Sequence, residues 1–369
     1  MGTDLVIFAA TSGHSGVDRV LRNLVPAIAR LGVCIDVLGI EGHGPAFTEL
    51  PDGVRHLPLG ASHVNTAIPA LIRYLKAERP AALMSDKDRV NRAALFARWM
   101  ARVPTRVGVR QGTTVSINLA SRRTSDRLVQ TASMRWLYPH ADAVLVPSKG
   151  AADDIAAFAR LPASKIHVVP SPIVTPTLKL RAREGVEHPW FAPEAPPVIL
   201  GVGELSERKD FATLLRAFAR VRQARECRLM ILGEGRRRKE LEALAAELGV
   251  SDDVALPGFV VNPYPYMVAA SVFALASRWE GMPVVLIEAL GLGRPCVACD
   301  CPSGPDEVLD GGRVGPLVPV QDDAAFAAGL LQQLDAPTPR EQSMSAVADY
   351  TDEASARAYL SALGFTEFS

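Results

Sequence analysis

The chain has 369 residues, of which 48% are hydrophobic and 22% charged, and its formal net charge is +0 at pH 7. These values are typical of a globular protein with two or three domains. They exclude a disordered chain, and five cysteines are too few for a disulfide scaffold. No stretch approaches the roughly 20 apolar residues of a membrane-spanning helix, and Asp4 stands where a signal peptide is basic. We therefore expect a cytoplasmic protein.

The first 175 residues alternate between apolar segments and amphipathic helices, which predicts one α/β domain. An apolar strand at residues 5–10 is followed by a loop with Gly13 and Gly16 and then by a helix. This order opens many nucleotide-binding domains. The loop does not spell GxGxxG, so it is a weak dinucleotide fingerprint, although Gly16 would let a ligand approach the backbone closely.

The segment from residue 87 to residue 135 is strongly basic and carries aromatic residues. It contains eleven Lys and Arg against Asp88 and Asp126, and residues 1–175 hold 21 basic and 13 acidic side chains. Two interpretations remain open, a solvated helix face or a surface for anionic lipid or a phosphate-bearing acceptor. Nucleic acid is not expected as a partner, because no binding motif accompanies the charge. The DxD triplet at residues 86–88 is interpreted as a helix start.

A proline-rich segment without an apolar period separates two α/β regions. It predicts an interdomain linker over residues 176–197, followed by a second α/β domain over residues 198–352. A last helix within residues 353–369 is expected to pack back onto the first domain.

Two pairs of charged residues in the second domain lie at predicted carboxyl ends of strands. Arg208 and Lys209 follow the strand predicted at residues 198–203, where they could bind a diphosphate or simply be surface charges. Glu280 follows a buried strand at residues 272–275, and Glu288 lies on the helix that Pro283 begins. Two carboxylates cannot hold phosphate but can accept hydrogen bonds from sugar hydroxyls. The alternative is a pair of solvated acids.

Three cysteines, Cys296, Cys299 and Cys301, form a CxxCxC cluster that could indicate a metal site. No second cysteine pair or nearby histidine completes a tetrahedral ligand set. We interpret this segment as a buried strand.

Several of these segments together resemble the retaining glycosyltransferases of family 4, which have the GT-B fold. Glu280 and Glu288 match the family's E-x7-E motif. The other matching motifs are residues 203–211, 232–235, 256–259 and 300–307, and in the first half residues 15–19. The resemblance implies an α/β protein with two facing Rossmann-like domains and a deep interdomain cleft.

The resemblance also implies roles for individual residues. Glu280 would contact the hydroxyls of the transferred sugar, Glu288 would bind the donor ribose, and Arg208 and Lys209 would neutralise the diphosphate. Glu280, Arg208 and Lys209 are therefore the expected catalytic residues. Further donor contacts are implied at Gly16, Gly203, Gly233, Gly235, Arg236, Phe259, Val260, Gly281, Met282, Pro283 and Val284. The acceptor side would include His14, Arg110 and Gln111. No metal or other cofactor is implied.

Three positions depart from the family pattern. Glu204 stands where the family usually has Arg, which concerns phosphate affinity. The segment from Arg110 to Thr113 replaces a loop in which many members have His, and Ser171-Pro172 replaces the usual Asn-Pro.

We therefore expect a hexosyltransferase. It would move a hexose or N-acetylhexosamine from a nucleotide diphosphate sugar, with UDP favoured over GDP, to a glycan or lipid-linked acceptor in bacterial surface polysaccharide synthesis. A nucleotide-sugar epimerase of the same fold and a non-catalytic nucleotide-sugar binding protein are the alternatives. Association with the inner face of the cytoplasmic membrane would follow if the basic segment binds lipid.

Overall fold

The structure is a computed structural model, which describes residues 2–12, 16–45, 47, 49–112, 115–120 and 124–366. The chain divides into two compact units. The first comprises Met1–Pro172 and Tyr350–Ser369, and the second comprises Ile173–Asp349.

The first unit is built on a seven-stranded parallel sheet. Its strands are β1 Leu5–Ala9, β2 Ile35–Gly39, β3 Val54–Pro58, β4 Ala82–Asp86, β5 Arg106–Arg110, β6 Ala143–Val146 and β7 Ile166–Val168. Their spatial order is β3-β2-β1-β4-β5-β6-β7. The helices between them are α1 Gly16–Ala29, α2 Val64–Glu78, α3 Asp88–Ala101, α4 Val115–Ala120, α5 Thr124–Leu137 and α6 Lys149–Ala159. Strand β1 is buried along its whole length, as expected for a parallel strand that is covered on both faces.

The second unit repeats this plan with six parallel strands. They are β8 Val198–Val202, β9 Arg228–Leu232, β10 Val254–Gly258, β11 Val272–Leu275, β12 Cys296–Cys299 and β13 Leu317–Val318, in the order β10-β9-β8-β11-β12-β13. Its helices are α7 Pro176–Arg181, α8 Phe211–Ala224, α9 Arg238–Glu247, α10 Tyr264–Ala269, α11 Val284–Gly291, α12 Pro305–Val308, α13 Asp323–Asp335 and α14 Arg340–Ser345.

Both sheets reverse their strand order beside the first strand of the unit. In the second unit the chain moves outward from β8 to β10 and then returns to place β11 on the other side of β8. Such a switch point is where α/β proteins bind ligands. The loops after β8 and β11 are therefore neighbours, and the predicted α/β class with two Rossmann-like units is confirmed.

The segment predicted as a linker differs from that expectation. The second unit begins at Ile173, so it includes residues 176–197, and α7 forms there. The side chain of Thr175 accepts a hydrogen bond from the Leu178 amide, and Pro176 occupies the first turn. A capping threonine followed by proline is a helix-start signal, which the high proline content of the segment obscured.

The last helix, α15 Asp352–Ala362, belongs to the first unit and packs against α1. Arg110 at the end of β5 holds it there. Its guanidinium donates to the Tyr359 hydroxyl at 2.7 Å, to Asp86 at 2.6 Å and to Ser171 at 3.1 Å. All four side chains are buried, and burial raises the pKa of Tyr359. The donors of Arg110 are thus engaged within the core of the unit, and its assignment to the acceptor side stays a prediction.

In the described part of the chain, none of the helices combines the length and the apolar character that crossing a membrane requires.

Replacing Arg110 should destabilise the first unit. Arg110→Ala leaves the buried Asp86 carboxylate without its cation, so we expect a loss of about 3–5 kcal/mol in free energy of unfolding. Tyr359→Phe leaves a buried guanidinium N–H without its acceptor and should cost about 1–3 kcal/mol. Urea unfolding of the full chain measures both, with the exposed Arg89→Ala as control. Equal midpoints for Arg110→Ala and Arg89→Ala would contradict this role.

Candidate active site

Loops that follow four neighbouring strands of the second sheet are joined by backbone hydrogen bonds. The Arg278 amide, after β11, donates to the Arg208 carbonyl, after β8, at 2.8 Å. The Leu205 amide donates to Glu234 after β9 at 3.0 Å. The Gly233 amide donates to the carbonyl of Gly258, the last residue of β10, at 2.8 Å. The carboxyl edge of this sheet is therefore one continuous surface.

Glycines make this close approach possible. A Cβ atom on Gly233 would lie 1.8 Å from the Gly203 carbonyl oxygen, and one on Gly235 would lie 2.4 Å from the Leu205 carbonyl oxygen. A Cβ on Gly203 would meet the Lys209 side chain at 3.0 Å. Gly233 and Gly235 thus let the loops after β8 and β9 come into contact, and Gly203 leaves room for the Lys209 side chain.

The three predicted catalytic residues lie together. Glu280 is only 4% exposed. Its Oε1 accepts hydrogen bonds from Lys209 Nζ at 2.6 Å and from Ser277 Oγ at 2.7 Å. Its Oε2 accepts one from Arg208 Nη1 at 3.0 Å. Lys209 is buried, whereas Arg208 is 38% exposed. A buried carboxylate between two cations therefore lies at the switch point, and Ser277 is a partner that sequence reasoning missed.

Glu288 is also buried, at 1% exposure in α11. The hydroxyl of Tyr264 in α10 donates to its Oε1 at 3.0 Å, and the guanidinium of Arg181 lies 5.5 Å from the centre of the Tyr264 ring. No role was predicted for Tyr264, because nothing in the local sequence around it shows that α10 packs beside α11. Neither glutamate is a solvated surface acid.

The other predicted donor residues lie on this edge with varied exposure. Pro283 is buried, Gly281, Met282, Val284 and Val260 are partly exposed, and Arg236 and Phe259 are exposed. Ser303 and Gly304 belong to the motif at residues 300–307, for which no role was predicted. The Ser303 hydroxyl donates to the Gly281 carbonyl at 3.0 Å. Gly304 has φ +104°, and a Cβ there would lie 2.4 Å from Pro283 Cδ.

The predicted sites of the first unit are less defined. Gly16 is exposed at the start of α1, whereas His14 lies outside the described residues. Gln111 is buried, and its Oε1 has no hydrogen-bond partner among the residues that the structure describes. Its assignment to the acceptor side stays a prediction.

The cysteine cluster forms the buried strand β12 and the residue Cys301 beyond it. All five cysteines are free thiols. Burial raises the pKa of Cys299 and Cys301 to about 12 and that of Cys227 to about 11. Within the described ranges, no group of three or more His, Cys, Asp or Glu side chains is arranged to hold a metal.

Two units, each built on a parallel sheet with this strand order, have the GT-B fold. Comparisons with known proteins identify the family. The model for group 1 glycosyl transferases matches residues 196–336, and the model for the glycosyl transferase 4-like domain matches residues 15–172. The chain belongs to this family of glycosyltransferases and is a transferase.

A relative matches along almost the whole chain. It is the N-acetylgalactosamine-N,N'-diacetylbacillosaminyl-diphospho-undecaprenol 4-alpha-N-acetylgalactosaminyltransferase of Campylobacter jejuni. It is 30% identical over 341 residues, which cover 90% of each chain. The lipopolysaccharide 1,6-galactosyltransferase of Escherichia coli is 28% identical over 167 residues, which cover 44% of each.

Solved structures share the fold. The lipopolysaccharide outer core galactosyltransferase WaaB superimposes with a TM-score of 0.72 at 19% identity, over 98% of this chain and 99% of that one. The Anabaena protein HepE in complex with UDP gives a TM-score of 0.73 at 16% identity, over 99% and 100%. At these identities the likeness establishes the fold alone.

The thiol pKa values predict selective alkylation. At pH 8 a thiol with a pKa of about 12 is ionised to about one part in ten thousand, and the thiolate is the reactive form. We expect iodoacetamide to label the partly exposed Cys34 in the native protein and all five cysteines in guanidinium chloride. Mass spectrometry of the digested protein locates the label. Rapid native labelling of Cys301 would contradict its burial.

Proposed function

We propose that this glycosyltransferase moves a hexose or N-acetylhexosamine from a nucleotide diphosphate sugar, with UDP favoured, to a glycan or lipid-linked acceptor. The observation that carries the proposal is the buried Glu280 carboxylate held by Lys209 and Arg208 at the switch point of the second unit. The relative in Campylobacter is named for a diphospho-undecaprenol acceptor, and the HepE structure contains UDP. The Campylobacter name and that of the lipopolysaccharide 1,6-galactosyltransferase support a role in bacterial surface polysaccharide synthesis, and the HepE complex supports UDP as the nucleotide.

The two cations would bind the diphosphate of the donor. Lysine carries three N–H donors and arginine five, so each has donors beyond those directed at Glu280. The Lys209 side chain is only 9% exposed, and a charge held away from water stabilises a developing anion more strongly. The negative charge that grows on the leaving diphosphate would be balanced here by side chains, without a metal.

Glu280 and Glu288 would bind the sugar and the nucleotide, respectively. Glu280 projects from the loop after β11, whereas Glu288 lies about one turn along α11 beside Tyr264. Ionised carboxylates accept strong hydrogen bonds from hydroxyls. The hydroxyls of the transferred hexose would thus bind at Glu280, and those of the ribose at Glu288.

Retention of configuration would follow from a substitution on one face of the sugar. The bond between the anomeric carbon and the phosphate oxygen breaks, and the acceptor oxygen bonds to the same face. The acceptor proton passes to the released phosphate oxygen. A covalent intermediate on Glu280 is disfavoured, because its two oxygens accept hydrogen bonds from Lys209, Arg208 and Ser277, which lower its nucleophilicity.

The first unit would bring the protein to an anionic membrane surface. Trp99 on α3 and Trp136 on α5 are 65% and 66% exposed, and Met100, Leu128 and Val129 are exposed on the same two helices. The two tryptophans line a cavity of about 280 Å³ together with Arg98, Arg102 and His140. Tryptophan favours the headgroup level of a bilayer, and each nearby cation adds about 1 kcal/mol of attraction to anionic lipid. Arg122 and Arg123, also in this basic segment, lie outside the described residues.

Glu280→Gln should separate chemistry from nucleotide binding. It keeps the shape of the side chain but removes the charge, so we expect kcat for sugar transfer to fall roughly 100-fold. UDP binding should be retained or become tighter, because the neutral side chain no longer competes with the diphosphate for Lys209 and Arg208. Glu288→Gln should instead weaken UDP binding about tenfold, the loss expected for one charge-assisted hydrogen bond. Calorimetry with UDP and a transfer assay with radiolabelled UDP-sugars measure the two effects.

The exposed Glu247→Gln serves as the control for both variants. Full transfer activity in Glu280→Gln, or failure of the wild type to bind any sugar nucleotide, would contradict the proposal. Incubation of donor with protein alone distinguishes transfer from epimerisation, since an epimerase converts the donor without an acceptor.

Membrane association is tested by sedimentation with vesicles. We expect binding to vesicles with anionic lipid, loss of binding at high salt because exposed charges are screened, and a marked reduction in the double variant Trp99→Ala/Trp136→Ala. Leu180→Ala, which removes an exposed apolar side chain from the second unit, should bind like the wild type. Equal binding to neutral vesicles would remove the electrostatic argument.

A further inference from the structure

A second pair of opposite charges lies beside the Glu280–Lys209 pair. In the first pair the loop after β8 supplies the cation, and in the second pair it supplies the anion. Asp210 accepts hydrogen bonds from Arg278 Nε at 3.0 Å and Nη2 at 3.4 Å. Lys209 and Asp210 are adjacent in the loop after β8, and they bind Glu280 and Arg278 in the loop after β11. Two crossed ion pairs therefore fix the register of one loop against the other.

Asp210 adopts an unfavourable local conformation in this arrangement. Its φ of 45° and ψ of 46° lie in the left-handed region, which residues other than glycine rarely adopt. It also occupies the N-cap of α8, where an aspartate usually accepts hydrogen bonds from the first amides of the helix. In the described residues its carboxylate makes no such bond; it accepts instead from Arg278 and from the Thr213 hydroxyl at 2.8 Å.

The carboxylate of Asp210 is fully buried, and the partly buried Arg278 also donates to Glu207 at 3.1 Å. Residues that violate two local preferences at once concentrate at functional sites, where tertiary contacts hold them. The contact that holds Asp210 leads to the loop that carries Glu280.

We propose that Asp210 and Arg278 are positioning residues that keep Glu280 directed at the sugar while Arg208 and Lys209 bind the diphosphate. This inference rests on the proposed function. A diphosphate competes with Glu280 for the same two cations, so their hold on Glu280 weakens when the donor binds. The Asp210–Arg278 pair lies outside that competition, because Asp210 is an anion with no exposed surface and the Arg278 guanidinium is already bound by Asp210 and Glu207. The pair therefore maintains the loop geometry that the cations no longer enforce.

Two variants test the pair without depending on a strained fold. Asp210→Gly removes the carboxylate and suits the left-handed backbone. The double variant Asp210→Gly/Arg278→Gln removes both charges and leaves no buried charge unpaired. Because a small misplacement of a reacting group is costly, we expect kcat to fall roughly 10- to 100-fold in both. The KM for the donor and the Kd for UDP should stay within about twofold of the wild-type values.

Further variants separate positioning from general destabilisation. Arg278→Lys keeps the charge but loses the planar fork, so it should retain part of the lost kcat. Arg220→Gln breaks an ion pair with Asp323 on the surface of the same unit and should behave like the wild type. If Asp210 and Arg278 act only through each other, the kcat of the double variant is no lower than that of Asp210→Gly alone.

Hydrogen exchange gives a readout that does not depend on activity. Amides of residues 277–282, including the Arg278 amide bonded to Arg208, should exchange faster in Asp210→Gly than in the wild type or Arg220→Gln. Unchanged kcat in both pair variants would overturn the inference, and so would equal losses of kcat, UDP affinity and melting temperature. A wild type that transfers no sugar would overturn the proposed function instead. Hydrogen exchange would then decide the inference. Equal amide exchange at residues 277–282 in Asp210→Gly and the wild type would overturn it.

Discussion

The arrangement of the second unit depends on one constraint, which is that a buried carboxylate must be paired. Removing an ionised carboxylate from water costs several kcal/mol unless cations and hydrogen-bond donors surround it. Glu280 meets this requirement with Lys209, Arg208 and Ser277. Those partners come from two loops that are far apart in sequence and adjacent in space, so the need to neutralise one charge brings together the residues that would serve the reaction.

Backbone contact between the loops is the second element of the design. Gly233 and Gly235 let main chain lie against main chain, where a Cβ atom would overlap a backbone carbonyl oxygen, and Gly203 leaves room for the Lys209 side chain. The cations are consequently presented from a surface that is already fixed by hydrogen bonds. Preorganised charge of this kind stabilises a developing anion without reorganisation during the reaction.

The positions of the strands could be predicted from the apolar pattern of the sequence. Glu280 lies near Arg208 and Lys209 because a doubly wound sheet places its first and fourth strands side by side. The sequence did not reveal side-chain contacts between distant elements. Arg110 was assigned to the acceptor side from the family resemblance alone, which gives no sign of its partner Tyr359, 249 residues away on the last helix. No role was predicted for Tyr264 or Ser303 because their partners also lie on distant elements, and Thr175-Pro176 was hidden within a proline-rich segment.

The return of α15 to the first unit has a consequence for biosynthesis. Residues 352–362 leave the ribosome after the whole of the second unit, yet they cover α1 and bind Arg110. The second unit is one continuous segment, Ile173–Asp349, and is complete before they emerge. During translation the later unit can therefore finish folding first, while the earlier one waits with an apolar flank uncovered. That flank stays open to non-native contacts until α15 emerges and packs against α1.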